Sequence, residues 1–228
     1  MIKTVLLDLD DTLFDFHKAE AAAISATLSE VGVEPSSETI ALYSKINQLQ
    51  WERLERGEID RDEVRIGRFR LLFEALQKNA DAAKTQRIYE YNLGCHYFFI
   101  DGAVELLEKL FSKYDLYIVS NGTNSVQERR IAASGIAKYF KEIFVSEKLG
   151  FNKPAPQFFD KCFEKIPNFK KENAIIIGDS PSSDILGGKN AGILTCRFNP
   201  KKSPSPAGIT PDYEVEALSE IIPLLERI

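Results

Sequence analysis

The sequence predicts a doubly wound α/β sheet interrupted by one all-helical insert. Three observations carry that reading. Short continuous apolar runs recur at Val5–Leu7, Leu116–Val119, Ile143–Val145, Ala174–Ile177 and Ile193–Cys196. Helical patterns fill the spaces between the later runs, at roughly 101–113, 124–134, 155–165 and 181–191. The stretch 17–97 contains no strand-like run at all.

Each element follows from the residues. Continuous rather than alternating apolar runs suit strands covered on both faces, as in a parallel sheet. Strand and helix alternating in sequence is the pattern of a doubly wound sheet. The insert is rich in Ala, Leu, Glu, Arg and Gln, all good helix formers. Its apolar residues recur at helical spacing, as in Leu42, Ile46 and Leu49, then Phe69, Leu72, Phe73 and Leu76. The mixed charges of Trp51–Arg70 read as a solvated helix face. The Pro/Ser-rich stretch Asn199–Pro211 reads as a loop before a last helix near 217–227. The expected division is a core of residues 1–16 and 98–228 and a helical cap of 17–97.

Composition narrows the function. A chain of 228 residues with 44% hydrophobic and 28% charged residues can bury a proper core. A net charge of −5 argues against a nucleic-acid polymer as partner, because phosphate backbones select basic surfaces. It leaves room for a small phosphorylated substrate in a locally positive site. The three cysteines, Cys95, Cys162 and Cys196, form no CxxC pair and read as reduced, mostly buried thiols. No apolar run reaches the ~20 residues of a membrane span, and Met1-Ile2-Lys3 leads directly into a strand. A cytoplasmic protein without a signal peptide is expected, as a monomer or small homo-oligomer.

The chemistry lies at the strand ends, where open parallel sheets bind ligands. The first run ends in Asp8-Leu9-Asp10-Asp11-Thr12. In extended chain Asp8 and Asp10 share a face, and paired carboxylates need a cation or a proton nearby. Asp at a strand end also serves as a turn or cap residue, and the pair alone does not decide between the two. The second run ends in Ser120-Asn121-Gly122-Thr123-Asn124, with hydroxyl, amide and backbone N–H groups at a helix start that suit an anion. Lys153-Pro154 follows the third run and can set one ammonium beside a phosphate. The fourth ends in Gly178-Asp179-Ser180-Pro181-Ser182-Ser183-Asp184. Gly178 allows a sharp exit, Ser180-Pro181 looks like an N-cap followed by Pro at the first helical position, and carboxylates such as Asp179 suit Mg²⁺.

Taken in order, DLDDT at Asp8–Thr12, Ser120-Asn121, Lys153-Pro154 and GDSPSSD at Gly178–Asp184 resemble the four signatures of the haloacid dehalogenase-like hydrolase superfamily over essentially the whole chain. The resemblance implies a Rossmann-like core with a subclass I helical cap. It implies Asp8 as nucleophile forming an aspartyl-phosphate, Asp10 as general acid and then base, and Lys153 as the cation on the phosphate. It further implies Mg²⁺ held by the Asp8 side chain, the Asp10 carbonyl and Asp179, with Asp184 and Thr12 in support. Ser120, Asn121 and Gly122 would bind the phosphate. These parts belong together, because two like unit charges 4 Å apart repel by roughly 4 kcal/mol at an effective dielectric near 20. Asp10 is expected to be protonated for the first step, favoured by neighbouring carboxylates.

Trp51, Gly57, Arg68 and Phe69, with the run Ser183–Gly192, resemble the pyrimidine 5′-nucleotidase branch, which implies a nucleoside monophosphate substrate. The same Trp51 and Phe69 read equally as cap core. A phosphoglycolate or sugar-phosphate phosphatase and a phosphosugar mutase share every core motif. A dehalogenase needs neither Asp10 nor Asp179, and a non-enzymatic phospho-accepting module lacks such a cap. His17, near the first hinge, reads as a surface or capping residue, and His96, near the second, is given no role.

Overall fold

Successive residues of a strand point to opposite faces, and the core follows that rule. Val5, Leu7, Ile118, Ile175 and Ile177 belong to one buried cluster, while Leu6, Tyr117, Val119 and Ile176 belong to another. In the computed structural model, which describes residues 1–228, these residues form the central strands of a six-stranded parallel sheet. The strands are β1 (Thr4–Leu7), β2 (Asp115–Ser120), β3 (Glu142–Val145), β4 (Ala174–Gly178), β5 (Leu194–Phe198) and β6 (Tyr213–Val215). Their order is β3-β2-β1-β4-β5-β6. Every pair is parallel, with Leu7 opposite Ile118 on one side and Ile177 on the other. The strand order reverses at β1, so the crevice beyond its C-terminal end is the switch point where such sheets bind ligands.

Ten α-helices accompany the sheet. Four of them, α1 (Phe16–Glu30), α2 (Ser37–Glu55), α3 (Arg61–Ala75) and α4 (Ala82–Gly94), lie between β1 and β2 in sequence. Each starts on a side chain that caps its first turn. Asp15, Ser36, Asp60 and Asp81 accept from the amides of Lys18, Thr39, Glu63 and Lys84 at 3.0, 3.2, 2.8 and 2.9 Å. A cap of this kind contributes about 1 kcal/mol. The chain enters these helices along Leu13–Asp15 and leaves along Phe98–Ile100. The two connectors pair with each other: Asp15 N–H donates to Phe98 at 2.8 Å, and Ile100 N–H to Leu13 at 2.9 Å.

The four helices bury a common core of Ala23, Ile24, Leu28, Tyr43, Phe69, Leu72, Phe73, Tyr89 and Leu93. A polar chain with one residue from each helix runs through it. Asn47 donates to Glu20 at 2.6 Å, and Arg68 donates to Asn47 at 2.7 Å and to Gln86 at 2.8 Å. Arg68 also lies over the Tyr89 ring at 4.7 Å. Buried polar groups are tolerated when they are partnered in this way.

The remaining helices are α5 (Ala103–Leu110), α6 (Asn124–Ser134), α7 (Ser146–Leu149), α8 (Pro156–Lys165), α9 (Leu186–Ala191) and α10 (Ile221–Arg227). α5 and α10 cover one face of the sheet, and α8 covers the other. No helix is long and apolar enough to cross a membrane. Three differences from the expected elements have simple causes. β6 is three residues long, too short to show as an apolar run. Leu49 is exposed, because α2 turns Tyr43, Asn47, Gln50 and Leu54 inward, and two of those are polar. Cys162 and Cys196 are buried but Cys95 is exposed, and none is paired.

Candidate active site

Asp8 leaves the end of β1 at the floor of a cavity of about 250 Å³. Asp10, Ser120, Asn121, Gly122, Lys153, Asp179 and Asp184 line the same cavity, so three strand ends and the Lys153 loop converge there. Lys153 is 1% exposed, and its ammonium donates to Asp8 Oδ1 at 2.7 Å, Asp184 Oδ1 at 2.6 Å and the Val119 carbonyl at 2.7 Å. All three protons are therefore directed. Burial works against the charge on Lys153, but Asp184 and Asp8 outweigh it and hold its pKa above the ordinary lysine range.

Carboxylate oxygens of Asp8, Asp179 and Asp184 lie within 4.8 Å of one another. Both Asp184 oxygens have protein partners, Lys153 on one and the Ser180 amide on the other. Gly178 makes room for this: a Cβ there would meet Asp184 Oδ2 at 2.2 Å, so close approach rather than an unusual turn explains the glycine. The Asp179 carboxylate accepts no hydrogen bond; its amide donates to Thr12 Oγ1 at 3.1 Å, and its carbonyl accepts from Arg197 Nε at 3.4 Å. Asp8 Oδ2 and the Asp179 carboxylate thus remain the open oxygens of the cluster. Seven carboxylates line the cavity, Asp8, Asp10, Asp11, Glu55, Glu90, Asp179 and Asp184, against the three cations Lys153, Arg68 and Arg130, a formal balance of −4. An oxygen-rich, under-neutralised donor set fits Mg²⁺, for which Asp8 and Asp179 are the free protein ligands.

Burial pushes the Asp8 carboxyl from 3.8 up to about 8, with Asp184 and Asp10 adding to the rise and Lys153 opposing it. Burial, then Asp8 and Asp184, push Asp179 well above the carboxylate range too. A raised carboxyl holds its proton more tightly when folded. Its stabilising effect is complete below the unfolded pKa and is lost as pH rises through the folded value. Thermal unfolding in a chelator should therefore show a midpoint that falls between about pH 4 and about pH 8, with a shallower fall in Asp8→Asn. A midpoint flat over that window would contradict the charge excess.

The residues expected to bind phosphate divide their work. Ser120 Oγ accepts from the Gly122 amide at 3.1 Å and from Gln127 at 2.9 Å, which leaves its own proton free to donate. Asn121 differs from expectation. Its side chain donates to the Lys153 carbonyl at 2.9 Å and accepts the Lys153 amide at 2.8 Å, so it braces the lysine instead of offering a free donor. The first amide of α6, on Asn124, is taken by Glu147 at 2.7 Å. Ser180 does cap the turn that follows Pro181, accepting from the Ser183 amide at 3.2 Å.

Above the floor, Phe16, Trp51, Arg68, Tyr89, Leu93 and Val126 form the upper wall. Phe69 is not among them: it is fully buried between Tyr43 and Tyr89, which removes it as a residue that touches substrate. Arg68 reaches the wall, but its guanidinium is bound to Asn47 and Gln86. Trp51 is half-buried in the wall. His17 is exposed and pairs with Asp11 at 3.5 Å. Four residues that sequence reasoning missed complete the site. Gln127 and Arg130 reach Asp10 from α6, Glu55 accepts from Ser182 at 2.8 Å, and Tyr89 sits in the wall with an unpartnered hydroxyl. The available signal was the three-residue spacing of Gln127 and Arg130, which puts both on one helix face beside the Ser120 strand end.

Residues 5–198 match the haloacid dehalogenase-like hydrolase family. The chain belongs to that family. It is 40% identical to the HAD-hydrolase YfnB of Bacillus subtilis, over 98% of this chain and 95% of that protein. The magnesium-bound crystal structure of YfnB, which revealed interdomain movement, superposes with a TM-score of 0.94 over 98% of each chain. The pyrimidine 5′-nucleotidase PynA of Streptococcus pneumoniae is 35% identical over 99% of this chain and 95% of its own. The pyrimidine 5′-nucleotidase YjjG of Escherichia coli is 29% identical over 97% and 96%.

Proposed function

We propose that this protein is a Mg²⁺-dependent phosphatase of small phosphate monoesters, with nucleoside 5′-monophosphates as the favoured class. The observation that carries the reading is Asp8: one oxygen is fixed by Lys153, and the other is free at the floor of a charge-lined cavity. That oxygen attacks phosphorus and forms an aspartyl-phosphate while the bond to the leaving oxygen breaks. Donors from Arg130 and Gln127, not the carboxylates expected from the sequence, hold Asp10, so it takes up a proton as the anionic substrate binds; it hands that proton to the leaving alkoxide and afterwards takes one from water, which hydrolyses the acyl phosphate. Lys153 and the Ser120 hydroxyl supply fixed donors to the phosphoryl oxygens. Mg²⁺, when held by Asp179, the Asp10 carbonyl and the Asp8 oxygen that does not attack, would neutralise the charge that otherwise repels the phosphate. The helices of 17–97 act as a cap over the core of 1–16 and 98–228, excluding water and selecting the leaving group.

Two observations favour a nucleotide. PynA and YjjG, similar along nearly their whole length, are pyrimidine 5′-nucleotidases. The cavity wall also carries the flat side chains of Trp51 and Phe16, which suit a planar ring. The test is a panel of nucleoside monophosphates, sugar phosphates and phosphoglycolate, assayed with Mg²⁺ and with a chelator. The expected result is metal-dependent hydrolysis with pyrimidine nucleotides at the highest kcat/KM. Higher values for phosphoglycolate or sugar phosphates would overturn the nucleotide assignment, and metal-independent turnover would overturn the phosphatase mechanism.

A further inference from the structure

Arg130 is fully buried in the first half of the second core segment, yet its guanidinium faces the cavity. Its Nη1 donates to Asp10 Oδ1 at 2.5 Å and to Gln127 Oε1 at 3.1 Å. Gln127 Nε2 donates to Asp10 Oδ2 at 2.6 Å and to Ser120 Oγ at 2.9 Å. Both oxygens of Asp10 are thereby held, one from each residue. The hold is tightly fitted, since a Cβ at Gly122 would meet Gln127 Nε2 at 2.3 Å. Arg130 is itself anchored to the end of the helical insert and to its entry connector: Nε donates to the His96 carbonyl at 3.0 Å, and the guanidinium lies 5.0 Å from the Phe14 ring centroid. Phe14 and Phe99 form the bridge that joins the two connectors.

We propose that Arg130 and Gln127 are positioning residues that set where the Asp10 carboxyl sits and tie that position to the base of the cap. A buried arginine whose only task was to hold the fold would not need to reach into the cavity, and its Nη2 would be partnered; here Nη2 has no protein partner. The link has a mechanical consequence. Any displacement of Phe14 or of residues 96–98 against the core moves the anchor of Arg130, so cap position and Asp10 placement change together. Ser120 shares Gln127 with Asp10, so the same contact keeps a phosphate-binding hydroxyl and the acid in fixed relation.

The inference rests on the proposed role of Asp10 and predicts a leaving-group signature. An alkyl phosphate needs a well-placed proton donor when its C–O oxygen departs. p-Nitrophenyl phosphate does not, because its phenolate leaves as a stable anion. The comparison uses kcat/KM, which reports steps up to release of the alcohol and is blind to later hydrolysis of the acyl phosphate. The full chain with Mg²⁺ is assayed on p-nitrophenyl phosphate and on uridine 5′-monophosphate or glycerol phosphate, whichever the wild type turns over faster. Arg130→Met is expected to lose about tenfold or more in kcat/KM on the alkyl substrate and less than about threefold on the aryl one. Gln127→Leu, which leaves the Arg130–Asp10 pair in place, should show the same selective loss at smaller size and guards against misfolding of the arginine variant. Equal losses on both substrates, or none, would overturn the positioning role while leaving the phosphatase reading intact. A wild type inactive on both substrates would overturn that reading and this proposal with it.

Discussion

Asp8→Asn is expected to remove phosphoester hydrolysis, by about 10⁴-fold or more, while the protein stays folded and gains stability near neutral pH. The activity follows from chemistry: an amide cannot attack phosphorus to give an acyl phosphate. The stability follows from the surroundings. Asp8 is one of seven carboxylates that line the cavity with three cations, and burial with like charges nearby pushes its carboxyl up to about 8. Removing its charge relieves Asp179 and Asp184. Lys153 is not orphaned, because Asp184 still accepts it at 2.6 Å and the Asn oxygen can replace Asp8 Oδ1. Turnover with Mg²⁺ and thermal unfolding measured on one preparation check both halves. Residual activity near the wild-type level would remove Asp8 as nucleophile, and a lowered midpoint at pH 8 would contradict the charge balance drawn from the cluster.

The parts of this site that sequence alone discloses share a property. Asp8, Asp10, Lys153 and Asp179 each follow an apolar run that ends abruptly, and the geometry of a parallel sheet then brings those ends together. Their placement needs only strand order and direction. Arg130 and Gln127 were not legible in that way, and Arg68 was singled out only through a resemblance, because they are charged or polar residues on helices, and such residues are ordinarily solvated. Here tertiary contacts bury them, Arg130 under Asp10 and Arg68 between α2 and α4. Phe69 failed for the converse reason. An aromatic residue at helical spacing fits a core and a ligand wall equally well, and only its contacts with Tyr43 and Tyr89 decide for the core. Asn121 was placed correctly but its bonding was not, since an amide that can donate to phosphate can equally hold the backbone of Lys153.

Lys153→Met should be damaging in a different way from Asp8→Asn, losing activity and stability together. The methionine nearly matches the lysine stem in length, so packing around a residue 1% exposed changes little. The charge change is large. Asp8, Asp184 and the Val119 carbonyl each lose a donor at 2.6–2.7 Å, and two buried carboxylates are left without their cation. Breaking a buried ion pair from one side costs about 3–5 kcal/mol. Chemical denaturation at pH 8 should show a loss of that size, and the loss should shrink as pH falls, because protonated carboxyls no longer require the ammonium. The double variant Lys153→Met with Asp184→Asn should recover part of the stability and none of the activity. Recovery would mean that the lysine stabilises by neutralising its partners. A single variant as stable as wild type at pH 8 would show that the buried carboxyls shed their charge once Lys153 is gone, and the expected ion-pair cost would be refuted.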